Sequence, residues 1–192
     1  RVLTSQGSGT DPSWEAASTG AFTFVSISTA SASATVDVQS LAAGYDYLFA
    51  WDGIVPSTNA VTLFVRFEEA SAFQADAADY GWGLSVQSVA ATDASDSEIE
   101  LNGGSTNYLW ATGATAGGDV SLMLLNPGGT QTYKKVHWHG GYWGVQGTPT
   151  PVETAGVGAY LSNTNAVTGI RYLYSSGNIS AGRLAVYRRQ RS

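Results

Sequence analysis

The stretch VSLMLLNPGGTQTYKKVHW, from Val120 to Trp138, carries the pattern that decides the fold class. Its first six residues are almost wholly apolar, as in a strand buried within a sheet. They stop at Asn126-Pro127-Gly128-Gly129, whose residue types favour a tight β-turn. Tyr133, Val136 and Trp138 then begin a second strand. We therefore predict two antiparallel strands joined by this turn.

Similar short runs lie on both sides of this hairpin. Apolar and polar residues alternate with a period of two, which is typical of half-buried strands, and the aromatic and β-branched runs suit the centre of a sheet. The alternation between Phe22 and Val38 predicts a further hairpin. Other strands are expected at Tyr45 to Trp51, Val61 to Phe67, Tyr80 to Val86, Val167 to Tyr174 and Arg183 to Tyr187.

The strands number about ten at spacings typical of sandwiches, and no segment has a helical apolar period. The sequence therefore predicts an all-β fold, an antiparallel β-sandwich with jelly-roll-like topology. We expect residues 1–20 to form an extended N-terminal arm, residues 21–187 the sandwich domain and residues 188–192 a basic C-terminal tail. Trp14 is the single aromatic residue of the arm and is its candidate assembly contact.

The composition restricts the classes of partner. Charged residues make up only 12% of the chain, and small neutral polar residues are abundant, as in many secreted and virion proteins. No apolar run approaches the roughly 18 residues needed to cross a bilayer, so no membrane insertion is expected. Cysteine is absent, which excludes disulfides and thiolate metal sites.

The charge distribution argues against a nucleic-acid partner. Three of the nine basic residues follow Tyr187, so the chain up to that point has six basic residues against fifteen acidic ones, a net charge of −9. An acidic body repels phosphates, and we expect no nucleic acid to bind it.

Three stretches together resemble one known family. They are Tyr45 to Phe67, the turn Asn126 to Gly129 followed by Tyr133-Lys134, and the ending IRYLYSSGNI at residues 170–179 with Ala181-Gly182 and Leu184 to Tyr187 behind it. They resemble a C-terminal β-sandwich domain that recurs in tailed-bacteriophage structural proteins. The last strand departs from that pattern, because the family often finishes on Tyr-Gly and an apolar residue where this chain has Arg188 and Arg189.

The resemblance implies a part of a virion surface: a tail fibre, a head fibre or spike, or a capsid decoration protein. It implies identical subunits, as a trimer or pentamer, and other virion proteins as partners, with a host surface glycan as a further one. The family's hallmarks are turn and core residues, so no enzyme activity, cofactor or metal is expected. The expected location is the phage particle surface, or otherwise the extracellular space.

The segment His137-Trp138-His139-Gly140-Gly141-Tyr142-Trp143 holds the candidate site residues. In a strand the two histidines project from one face, as in half of a cupin-like metal site. The chain has no third histidine. We interpret Gly140 to Glu153 as an exposed loop, and the next acid, Glu153, comes only at its end. We therefore assign a glycan or partner surface to His137, His139, Tyr142 and Trp143. An alternative is that Tyr142 and Trp143 pack on a neighbouring subunit.

The densest acidic segment is Asp93, Asp96, Glu98 and Glu100. Calcium prefers several oxygen ligands of this kind. Alternation instead puts the last three acids on one face of a strand, opposite Ile99 and Leu101. We expect a solvated outer face that discourages aggregation between sheet edges.

Three functions follow, from different classes. The leading hypothesis is a non-enzymatic virion structural protein that assembles on a phage-type particle and contacts the host surface. The second is a glycan-binding adhesin module built on the same sandwich. The third is an enzyme, either a cupin-like metalloenzyme that uses His137 and His139 or a glycan hydrolase that uses two carboxylates.

Overall fold

The computed structural model describes residues 2–4, 13–15, 20–86, 89–102, 110–112, 117–144 and 150–191. Within these ranges the strands form three antiparallel sheets, of two, five and eight strands. No helix in the described ranges is long and apolar enough to cross a membrane. The predicted all-β antiparallel sandwich is confirmed. Its two larger sheets hold thirteen strands rather than about ten, partly because two of these strands are only two residues long.

The described strands number fifteen in chain order. They are β1 (Val2–Thr4), β2 (Ser13–Glu15), β3 (Thr23–Ser33), β4 (Thr35–Gln39), β5 (Tyr45–Pro56), β6 (Leu63–Glu69), β7 (Ala72–Phe73), β8 (Tyr80–Val86), β9 (Val89–Asp96), β10 (Ile99–Glu100), β11 (Gly118–Leu125), β12 (Lys134–Gly144), β13 (Thr150–Tyr160), β14 (Gly169–Tyr174) and β15 (Ile179–Gln190). The five longest, β3, β5, β12, β13 and β15, all lie in the eight-stranded sheet.

The two large sheets exchange strands along the chain. The eight-stranded sheet has the order β3-β15-β5-β11-β12-β13-β8-β9, and the other has the order β10-β6-β14-β4 with β7 also paired to β6. Thus β4 lies in the smaller sheet, β5 in the larger and β6 in the smaller again. Most pairings consequently join residues that are far apart in the sequence.

The prediction of a hairpin between Phe22 and Val38 is wrong. Within residues 20–86, which are described without a gap, β3 pairs with β15 and β4 with β14, so the two strands belong to opposite sheets. Ala32 has a φ of 52° close to a bend at Ala34, where the chain changes sheets. An alternating pattern looks the same in a hairpin and in a strand that bends into the facing sheet.

Aromatic side chains join the two sheets. The ring of Tyr172 on β14 lies 6.3 Å from Phe49 and 5.5 Å from Trp51, both on β5, in edge-on contacts. Farther along, Phe67 of β6 meets Tyr160 of the larger sheet at 6.3 Å. These rings are at most 3% exposed. Edge-on aromatic contacts add to the apolar area that such rings bury, so they hold the sandwich closed.

Two turns have the residues that their geometry requires. The Gly129 N–H donates to the Asn126 carbonyl at 3.1 Å, and β11 and β12 pair antiparallel around it, as predicted. Gly177 has a φ of +72°, and a Cβ there would overlap the Thr58 hydroxyl. Only glycine has both this positive φ without strain and no Cβ to collide with the Thr58 hydroxyl.

The final strand includes most of the expected basic tail, because β15 ends at Gln190. Arg189 and Arg191 each donate to Asp46 at 2.8 Å, and this aspartate side chain is only 7% exposed. Burial raises the pKa of Asp46, but hydrogen bonds from Arg189, the Asn126 N–H and Arg191 outweigh it and lower the pKa overall. The arginines therefore fasten β15 onto β5 in the larger sheet.

Part of the expected N-terminal arm is described. Strands β1 and β2 pair antiparallel, with Leu3 opposite Trp14. The Trp14 side chain and residues 1, 5–12 and 16–19 lie outside the described residues. The assembly role of Trp14 therefore stays a prediction.

Candidate functional site

Strand β12 alternates strictly between buried and exposed residues along its whole length. His137, His139 and Trp143 lie on the outer face of the larger sheet, and Trp138 points into the core with its Nε1 donating to the Leu101 carbonyl at 3.0 Å. The segment interpreted as a loop is therefore strand up to Gly144 and again from residue 150, with residues 145–149 outside the described ranges. Three of the four candidate residues share one surface.

Tyr142 does not belong to that surface. It is 3% exposed, and its ring stacks on Trp110 at 4.5 Å inside the sandwich. The loop interpretation treated Tyr142 and Trp143 as neighbours on one binding surface. In a strand, adjacent residues point to opposite faces, so only Trp143 is directed outward.

His139 pairs with an acid, and the sequence did not predict this pairing. Glu153 lies on β13 opposite Gly141, and its Oε1 is 3.0 Å from His139 Nε2. Both side chains are about 70% exposed. They are fourteen positions apart in the sequence, but antiparallel pairing of β12 with β13 brings them together. The sequence of β13 gave little signal, because its inward positions include Thr154 and Gly158 while the apolar Val157 is exposed.

The two histidines have different neighbours. His137 lies in register between Met123 of β11 and Val157 of β13, both apolar, whereas His139 has its carboxylate partner. No group of three or more His, Asp or Glu side chains suited to a metal occurs in the described part of the chain.

An open groove of about 760 Å³ surrounds Gly141 on this outer face. Asp119 on β11 and Glu153 on β13 flank Gly141 in register, one on each side. Asp119 is held in place because its Oδ1 accepts a hydrogen bond of 2.9 Å from the Gly53 N–H. His139 and Trp143 flank Gly141 along its own strand. Since glycine has no side chain, the middle of the groove is bare backbone.

The outer face of the larger sheet also has an apolar row. One residue from each of six neighbouring strands contributes to this outer row: Phe24, Tyr187, Leu48, Met123, His137 and Val157. Phe24 is 57% and Val157 44% exposed. The adjacent row consists of Ile27, Ala185, Ala50, Ser121, His139 and Ala155. Neither row contains a lysine, arginine, aspartate or glutamate.

The acidic segment is not the solvated strand face that we expected. The chain bends at Ser97 and Glu98 and crosses from β9 to β10, so these acids do not share one strand. Asp96 accepts a 3.0 Å hydrogen bond from Trp82 Nε1, and Glu98 forms a 2.7 Å salt bridge with Arg66. Alternation in the sequence does not reveal such a crossing.

Burial, together with the charges of Asp96, Glu98 and Asp93, raises the pKa of Glu100 from 4.5 to about 7. The folded protein thus favours protonated Glu100. This contribution to stability is fully present below pH 4.5 and is lost as the pH rises through about 7. We expect Glu100→Gln to raise the free energy of unfolding at pH 8 by about 1 kcal/mol, allowing for solvent screening of this half-buried group, and to change little at pH 4.

Urea unfolding at both pH values measures this effect. Glu153→Gln is the matched control, since the Glu153 side chain is 72% exposed on the outer face, and it should change the stability little at either pH. A Glu100→Gln protein less stable than the wild type at pH 8 would contradict the assignment.

Comparison of this chain with protein-family models, with curated proteins and with solved structures finds no match. Its function has to be inferred from its own residues and their arrangement.

Proposed function

We propose that this protein is a non-enzymatic structural module of a phage-type particle, which assembles with identical copies through the outer face of its eight-stranded sheet. The outer row is the observation that carries the proposal. The setting on a particle surface, beside other virion proteins, rests on the resemblance of the three stretches between Tyr45 and Tyr187 to the phage domain.

The outer row is unusual for a surface exposed to water. Large contiguous apolar patches on soluble proteins commonly mark interaction sites. The row crosses six strands, a width of roughly 24 Å at the usual strand spacing. At its β3 end Phe24, Val25 and Ile27 are between 42% and 57% exposed. An edge strand of this kind favours contact with another protein chain.

The lack of charged side chains on these two rows permits a second copy as the occupant. A net charge of −6 makes two copies repel each other wherever their acidic surfaces meet. The outer row and the row beside it carry no lysine, arginine, aspartate or glutamate, so copies that meet there keep their carboxylates apart. The small residues Ala50 and Ala185 let two sheet faces approach closely.

Ile27→Lys is expected to convert a trimer or pentamer into a monomer. Ile27 is 51% exposed on β3, so lysine is tolerated in the single chain but brings a positive charge into each contact. The measurement is molar mass by light scattering, with and without a chelator, because assembly through this face requires no metal.

Tyr133→Lys is the matched control, since Tyr133 is 47% exposed in the turn before β12 and away from both rows. It should leave the molar mass unchanged. A wild-type chain that is monomeric at the highest soluble concentration, or a multimer that Ile27→Lys does not disturb, would refute assembly through this face.

A further inference from the structure

We infer that the groove around Gly141 binds a neutral oligosaccharide. This goes beyond the assembly role, because it assigns a ligand to a different part of the same sheet. The groove combines an exposed tryptophan, a histidine and carboxylate pair, and a floor without side chains.

Trp143 supplies an apolar platform. It is 38% exposed, whereas Trp51, Trp82, Trp110 and Trp138 are at most 8% exposed. Pro151 lies opposite it on β13. The face of a sugar ring that carries C–H groups stacks on such rings, because a tryptophan provides a large rigid apolar surface with little loss of side-chain entropy.

Polar groups occupy the rest of the groove at fixed positions. His139 lies four residues from Trp143 along β12, roughly 13 Å at the usual rise of a strand, and Glu153 lies opposite Gly141 between them. Asp119 faces Glu153 across Gly141, with their Cα atoms roughly 10 Å apart, two strand spacings. Sugar hydroxyls both donate and accept, so carboxylate oxygens, an imidazole and the Ser121 hydroxyl match them. The length suits more than one sugar ring.

The charges of the groove select among ligands. Two carboxylates and no lysine or arginine line it, which disfavours sugars that carry a carboxylate or sulfate. An organic cation would satisfy the acids but usually requires a cage of several aromatic rings, and Trp143 is the single exposed ring here. A neutral sugar therefore fits best.

The geometry favours binding over cleavage. A carboxylic acid that protonates a glycosidic bond is usually shielded from water. Glu153 is 72% exposed in an open groove, and its oxygen already meets His139.

The groove and the outer row share no residue. Of the adjacent row, Ser121 and His139 line the groove, so the contact between copies is confined to the β3, β15 and β5 part of both rows. Trp143 lies six residues along β12 from His137, which is roughly 20 Å. A second copy that covers the β3 side of the outer row leaves the groove at the opposite corner open.

The test uses the full chain and an array of neutral oligosaccharides, namely glucose, galactose, mannose and N-acetylglucosamine oligomers, alongside sialylated and sulfated ones. Titration calorimetry on the best neutral ligand then gives its affinity. Trp143→Ala should weaken binding about tenfold, since it removes the stacking surface. Gly141→Leu should abolish binding, because the added side chain fills the floor.

Gly141→Leu is informative because the sheet accommodates a side chain at this position. A Cβ on Gly141 would lie 3.7 Å from the Val152 carbonyl oxygen, an ordinary contact. Lys135→Ala, on the same face of β12, is the matched control and should bind as the wild type does. Thermal unfolding of each variant verifies that it is folded.

The inference is overturned if no neutral oligosaccharide binds, if the array retains only anionic sugars, or if Gly141→Leu binds normally. The Ile27→Lys variant should fail to assemble but still bind the oligosaccharide. If it does not bind, the groove is not complete within one chain and the inference is overturned. A bound oligosaccharide that is also cleaved would support the ligand and refute the non-enzymatic function. The two proposals thus fail separately.

Discussion

Trp110→Ala is expected to lower the free energy of unfolding by about 4 kcal/mol, the range seen when a fully buried tryptophan is truncated. Trp110 is 0% exposed and stacks on Tyr142, with Tyr174 at 5.8 Å on another side. It also bridges to Val61 on one side and to Gly144 at the end of β12 on the other. Truncation leaves a cavity where the two sheets meet. Chemical unfolding followed by tryptophan fluorescence measures the loss.

Trp143→Ala is the matched control for this prediction. It also truncates a tryptophan to alanine, but Trp143 lies on the outer face of β12 and is already 38% exposed. The loss of stability should therefore stay below about 1 kcal/mol. Equal losses in the two variants would mean that Trp110 is not a central part of the core.

Gly140→Ala is expected to destabilise the fold by about 3 kcal/mol, although it adds a single methyl group. A Cβ there would overlap the Asp119 carbonyl oxygen and lie 3.0 Å from Val120 Cα. Both atoms are backbone of β11, so the strands would have to separate and weaken their hydrogen bonds. The readout is the midpoint of urea unfolding at unchanged slope.

The adjacent Gly141→Ala provides the control, because the same methyl group at that position meets an atom no closer than 3.7 Å. It should change stability by no more than about 0.5 kcal/mol. Similar effects at both positions would show that strand propensity, rather than close approach of the backbone, governs these glycines.

Local patterns in the sequence were sufficient for the class of fold and for the β11 to β12 hairpin. That hairpin depends only on residues close together in the sequence: an apolar run, a turn with proline and glycine, and a second apolar run. These formed the expected pair of strands. The same patterns could not predict which sheet a strand joins. Strand β4 alternates as β3 does, yet its partner residues are 130 or more positions away in the sequence.

The glycines explain the largest error. We interpreted Gly140 to Glu153 as a loop because glycine favours turns, but Gly140, Gly141 and Gly144 lie within β12, and the facing strand β13 also contains a glycine, Gly156. At Gly156 a Cβ would overlap the Trp138 ring. Glycine there makes room for a buried tryptophan on the neighbouring strand, a requirement that no local pattern encodes.

The candidate site was predicted in part. The outward direction of His137 and His139 follows from the period of two, and so does the inward direction of Trp138. Glu153 and Asp119 come to the groove through strand pairing, and the Glu153 contact depends on a register that sequence does not specify.

Strand β3 has a consequence for how the chain folds. Among the described strands it pairs with β15 alone, and the partners are about 150 residues apart. During synthesis, Phe24 and Ile27 leave the ribosome long before their partner strand exists. Contacts of such long range slow folding, because the intervening loop must close before the pairing is gained. The apolar edge therefore stays unpaired in the nascent chain, where chaperones would act on it until residues 179–190 have been made.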